Sequence, residues 1–252
     1  MATASPPPFP THALASTLLP STPIVRSAYT YIHLHTTPAV ANHTIRSAFF
    51  ALILLKRLPP FTRTVDAETL VLATLLHDLG WSQSPELVSE DKRFEVDGAN
   101  DAREFVRDRV AKEGGSGWEE GKLQSLWYAI ALHTTPSIAI HAEPLAVLTA
   151  MGIQADFVGP SFNLPSTQDP GTAQLITPEE FTAVIRAYPR VGFKEELREI
   201  MCGLCRRKPD ATVDNFAAEY GRKYVEGYTE IWEEASVVQR LEGALDATVQ
   251  FE

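Results

Sequence analysis

Apolar residues recur along this chain at spacings of three and four, interrupted by proline, glycine and short polar caps, with few alternations at a period of two. The pattern predicts one helix after another. A short helix is expected over 24–35. A second runs from Pro38, in its first turn, to about Leu58, where Pro59 and Pro60 stop it. Its inward face reads Val40, His43, Ser47, Phe50 and Leu54. Asp66 is placed to cap the next helix, which carries Leu70, Ala73 and His77 on one face and Val71, Leu75 and Asp78 on the neighbouring one. Further helices are expected over 97–112, from the capping box Ser116-Gly117-Trp118-Glu119 to His133, and after Pro144. The face of the last of these, Leu145, Leu148, Gly152 and Asp156, ends in a carboxylate. Thr177-Pro178-Glu179-Glu180 combines a capping box with proline at the first helical position, and helices over 193–207, 213–228 and 230–246 close the chain.

This reads as an all-α fold: a tail over 1–20, then a single helical domain over 21–252. Within it, a site-bearing core covers about 36–160, a lid-like loop rich in Pro, Ser, Thr, Asn and Gly covers 159–177, and C-terminal helices cover 178–246. The stretch Leu34 to His43 nearly recurs as Leu132 to His141, with Leu-His-Thr-Thr-Pro common to both, which we read as shared turn chemistry, Thr as cap and Pro in the first turn, since nothing else repeats.

Composition narrows the partners. With 44% hydrophobic and 21% charged residues the chain is ordinary globular material. A net charge of −10 argues against nucleic acid or an anionic membrane, leaving a small-molecule substrate as the expected partner and self-association into a homo-oligomer open. The longest apolar run, Phe49 to Leu55, is cut short by Lys56-Arg57, and the proline-rich start lacks the basic region of a secretory signal. Cys202 and Cys205 are the only cysteines, which fits a reducing, cytoplasmic setting; their place on an apolar helix face favours packing over redox chemistry. The sequon Asn42-His43-Thr44 is read as unmodified for the same reason.

Chemistry concentrates where the apolar run Leu75-Leu76 ends in His77-Asp78. Burying an imidazole beside a carboxylate is costly unless something satisfies both, and a shared metal ion does so. Neighbouring helical residues point about 100° apart, so the two can grip one ion from adjacent directions. His43 and Asp156, on other helices, would complete a four-ligand set for one divalent ion, zinc first, with iron or manganese as alternatives.

A lone His, an apolar helix ending in His-Asp and a late Asp resemble the HD-domain superfamily of metal-dependent enzymes. Further segments are similar to its cyanamide hydratase branch: Leu75 to Gly80, Phe94-Glu95-Val96-Asp97-Gly98, Ile130-Ala131-Leu132-His133, and Ile153-Gln154-Ala155-Asp156-Phe157-Val158-Gly159. The resemblance covers roughly 40–160. It implies a single HD-type helical bundle with extra C-terminal helices, His43, His77, Asp78 and Asp156 as metal ligands, and hydration of a nitrile to urea by metal-activated water. Its implied catalytic set is Asp78 with Glu95 and His133, the last two ranked ahead of Asp97 for proton delivery. The sequence departs from the pattern at Trp81-Ser82, where the hydratases carry a Thr pair and many phosphohydrolases of the superfamily a Lys, so the substrate pocket differs. An HD-type phosphohydrolase of a nucleotide or phosphate ester remains the rival enzyme, and a non-catalytic helical binding module the rival from another class. A di-iron site would lack histidines, since none lies between 79 and 132. Arg46 is either a substrate anchor or an ion-pair partner; Asp97 and Asp101 read as caps or solvated helix residues; His12, His33 and His35 read as surface or turn residues.

Overall fold

Proline decides where helices begin in this chain. In the computed structural model, which describes residues 6–113, 117–161 and 174–251, six helices carry it in their first turn, where its fixed φ suits the helix and its missing N–H is not needed. These are α1 (Pro23–His35), α2 (Pro38–Arg57), α3 (Pro59–Thr62), α7 (Pro136–Ala139), α8 (Pro144–Val158) and α9 (Pro178–Ala187). The others are α4 (Ala67–Leu76), α5 (Phe94–Glu113), α6 (Glu120–Ala131), α10 (Phe193–Arg207), α11 (Ala217–Tyr224), α12 (Tyr228–Glu234) and α13 (Val237–Thr248). No strand occurs among the described residues, so the fold is all-α. Two units emerge, a boundary the sequence reading did not draw: Met1–Val88 with Phe94–Val191, and Ser89–Arg93 with Gly192–Glu252.

The first unit is built around α2, which packs most extensively on α8 and next on α4. α2 is long and apolar enough to cross a membrane by length and composition, but 89% of its apolar window is buried inside the unit, as befits a core helix. α4 is apolar all round and buried from Thr69 to Leu76. Asp66 caps it as expected, accepting from the Thr69 N–H at 3.1 Å. Two glycines set the close approaches. A Cβ on Gly152 of α8 would sit 2.5 Å from the Ala51 Cβ of α2, and one on Gly80 would sit within bonding range of the Phe94 carbonyl oxygen at the start of α5.

Several boundaries shift. α5 starts at Phe94, three residues earlier than the sequence suggests, so Asp97 falls in its first turn and is buried, and Asp101 follows with one carboxylate oxygen buried and unpartnered. Asp97 is therefore not a solvated cap, while Asp101 is half-buried. α6 begins after Glu119 rather than at the Ser116 capping box; Ser116 lies outside the described residues, as do 162–173 of the expected lid-like loop. The capping box at Thr177 forms in full, with Thr177 Oγ1 accepting from Glu180 N–H at 3.2 Å and Glu180 accepting from Thr177 N–H at 2.9 Å. His33 and His35 lie half-buried in the last turn of α1, not in surface turns, while His12 is exposed.

In the second unit, α10 packs on α11, and α11 on α12. The expected helices over 213–228 and 230–246 are instead three shorter ones, because Gly227, at φ 75°, turns the chain before α12. Cys202 and Cys205 are buried and free, and the Cys205 thiol donates to the Ala217 carbonyl at 3.2 Å. They pack, as their helix face suggests.

Candidate metal centre

Four helices of the first unit deliver one ring of polar side chains into the core. His43 comes from the second turn of α2. His77 closes α4, and Asp78 follows it before a 3-10 turn over Leu79–Trp81. His133 follows α6, and Asp156 lies in the last turn of α8. All five are buried.

The three histidines share one orientation. The His77 Nδ1–H donates to the Thr74 carbonyl at 2.8 Å, and the His133 Nδ1–H to the Ile130 carbonyl at 2.6 Å, each closing a local turn at a helix end. Since a carbonyl can only accept, both rings carry their proton on Nδ1 and a lone pair on Nε2. The His43 Nδ1–H donates to Asp156 Oδ2 at 2.7 Å, with the same consequence. The three Nε2 atoms then converge on Asp78, at 3.0 Å from His77 and 3.6 Å from His43 to Oδ2, and 3.7 Å from His133 to Oδ1.

Lone pairs facing a carboxylate repel it unless a cation lies between. His77 Nε2 and both Asp78 oxygens are buried with no hydrogen-bond partner, an arrangement that proteins rarely tolerate without compensation. Ligand atoms of His43, His77 and Asp78 all lie within 4.8 Å of one another, close enough to share an ion. The donor set, imidazole with carboxylate, suits a divalent transition metal. Protonation states agree. Burial pushes His43 down, and burial with the neighbouring His77 pushes His133 down to about 4.

Asp156 is brought to the site, but to the far nitrogen of His43. Both its oxygens are engaged by Arg46, at 2.8 Å each, and Oδ1 also by Arg190 at 2.9 Å. Arg46 is therefore an ion-pair partner, fully buried one turn past His43. Burial would raise Asp156, and the His43 and Arg46 hydrogen bonds overcome it, holding the carboxyl well below the usual range. Glu95 is buried in the first turn of α5 and accepts from the Thr134 hydroxyl at 2.5 Å, beside His133. The wall is aromatic: Trp81 stacks parallel to His43 at 6.5 Å, Phe157 lies 5.0 Å from it, and Phe94 lies 5.9 Å from His133.

Sequence reasoning missed Arg190 and Thr134. Thr134 was findable as the neighbour of His133. Arg190 follows Asp156 by 34 residues, and no local spacing links the two.

Residues 40–153 match the family model of the HD domain. That stretch covers His43, His77, Asp78, Glu95 and His133 and stops before Asp156. HD domains bind divalent metals and are generally metal-dependent hydrolases. No curated protein matches the chain.

Proposed function

We propose, with the HD domain over 40–153 as premise, that this chain is a metal-dependent enzyme that adds water to a small uncharged molecule of nitrile type, cyanamide being the best named case. The observation that carries the reading is the convergence of three imidazole Nε2 atoms on a buried carboxylate whose oxygens lack hydrogen-bond partners. His43, His77 and Asp78 would hold the ion, with His133 at its edge. When bound, a divalent ion there lowers the pKa of water toward neutrality and polarises the substrate.

The chain's own groups do the rest. His133 accepts a proton from water at Nε2, its Nδ1–H anchored on Ile130 so that the ring keeps its orientation. Glu95, fixed by the Thr134 hydroxyl, is the second carrier for proton delivery to the substrate nitrogen. In the overall addition the water oxygen bonds to the nitrile carbon, and both water protons end on the former nitrile nitrogen, giving urea from cyanamide. Trp81, Phe94 and Phe157 form a wall suited to a small, weakly polar substrate and to excluding bulk water. Trp81 stands where a phosphate-reading member of the superfamily would place a cation, and Arg46 and Arg190 are engaged by Asp156. Both features support an uncharged substrate over a phosphate ester.

The test is direct. Metal-loaded protein is given cyanamide and assayed for urea, with nucleotides and aryl phosphates assayed for phosphate in parallel. Urea release that His133→Ala lowers by about 100-fold or more is the expected result. Phosphate release without urea would reassign the substrate, and neither product from metal-loaded protein would make the chain a binding module.

A further inference from the structure

Asp156 is more heavily engaged than a metal ligand can be. Its Oδ1 accepts from Arg46 Nε at 2.8 Å and from Arg190 Nη2 and Nε at 2.9 and 3.3 Å. Its Oδ2 accepts from Arg46 Nη2 at 2.8 Å and from His43 Nδ1 at 2.7 Å. A carboxylate offers about four lone-pair sites, and here every one is taken. Its charge is already matched by two guanidinium groups. The residues that can share an ion are His43, His77 and Asp78, without Asp156.

We propose that Asp156 is a positioning residue and not a ligand. It fixes the proton of His43 on Nδ1 and so aims Nε2 at the ion, while Arg46 and Arg190 fix Asp156. This rests on the metal-centre reading above. Carbonyl oxygens of Thr74 and Ile130 do the same for His77 and His133. Those acceptors are neutral, whereas Asp156 is an anion, so His43 is held by the one charge-assisted hydrogen bond of the three.

The outer half of the clamp on Asp156, Arg190, comes from a strap just past α9. Arg46 Nη1 donates to the Tyr188 and Pro189 carbonyls at 3.0 and 3.3 Å, and the Asn42 amide donates to the Pro189 carbonyl at 3.1 Å. Tyr188 to Arg190 is thereby stitched along α2 beside His43, and the Arg190 guanidinium also lies over the Phe181 ring at 5.1 Å. This strap falls outside the residues matched to the HD domain. The chain thus supplies from outside the matched residues one of the two guanidinium groups that hold Asp156.

Arg190 offers a variant in which the ligand field tells the two roles for Asp156 apart. Its side chain is 34% exposed, so Arg190→Gln is expected to fold, which circular dichroism checks. Cobalt(II) affinity is measured by competition with a chromogenic chelator, and the ligand field by the visible absorption of the cobalt-loaded protein. If Asp156 positions His43, Arg190→Gln leaves the cobalt bands where they are, and Asp156→Ala, which removes the acceptor of the His43 Nδ1–H, weakens binding by about 10-fold to 100-fold. Asp156→Asn, whose amide oxygen still accepts from His43 Nδ1, also leaves the bands unmoved. If Asp156 were a ligand, releasing it from Arg190 or changing it in Asp156→Asn would shift the bands; either result overturns the proposal alone. A wild-type chain that takes up no cobalt overturns the metal-centre reading and this proposal with it.

Discussion

At the scale of single residues, what distinguishes this core is how its polar groups are compensated. His77 and His133 each tie Nδ1 to a carbonyl three residues back, which leaves one reactive atom per ring and settles where it points. Asp101 is the contrasting case, a half-buried carboxylate with no such compensation. Burial, then the neighbouring Asp97 and Glu104, push it up to about 7, and one of its oxygens has no hydrogen-bond partner. The folded state therefore binds more protons than the unfolded chain between about pH 4 and 7, and stability drains away as pH rises through that window. Asp101→Asn is expected to remove this loss. In urea unfolding its advantage over wild type should grow between pH 4 and pH 8 by roughly 1–2 kcal/mol, a figure reduced from the full shift because the side chain is partly solvated. An advantage that does not change with pH would show that Asp101 carries no such penalty. The His-Asp pair was legible in the sequence because two polar residues end an apolar run. The state of Asp101 was not, since it depends on α5 starting at Phe94 and drawing Asp97 and Asp101 inward.

At the scale of elements, close packing at Gly152 sets where two of the site residues stand. Gly152 lets α8 lie against α2, and Asp156 follows one turn later on the same helix, facing His43 of α2. Gly152→Ala would gain about 1 kcal/mol in helix propensity, but its Cβ would meet Ala51 atoms at 2.5 and 2.9 Å. Overpacking of this kind costs about 1–3 kcal/mol, and because two of the contacts are backbone the upper end is expected. The net result is a loss of stability in denaturant unfolding, with weaker metal binding as His43 and Asp156 move apart; a variant as stable as wild type would mean that the helices part freely. Helix starts were legible through Pro38, Asp66, Pro144 and Thr177, since each acts on its own backbone within one turn. The one-turn helices α3 and α7 and the break at Gly227 were not, being too short for any periodicity to mark.

At the scale of the whole molecule, the all-α class was legible because apolar residues recur at helical spacing, and the match of residues 40–153 to the HD-domain family model agrees with the order His43, His77-Asp78. What the sequence left hidden is that the first unit continues to Val191, so that the strap carrying Arg190 belongs with the site although it lies beyond the matched residues. Contacts between segments so far apart leave no periodic trace. Urea formation, cobalt affinity, and the stability of Asp101→Asn and Gly152→Ala each probe one part of this arrangement, but all of the chemistry depends on an ion between His43, His77 and Asp78. The decisive measurement is elemental analysis of protein purified without chelator, wild type beside Asp78→Ala. About one transition-metal ion per chain in the wild type, falling to background in an Asp78→Ala protein that keeps its helical circular dichroism, is the expected result. A wild-type protein that carries no metal and takes none up on titration would contradict the account at its centre.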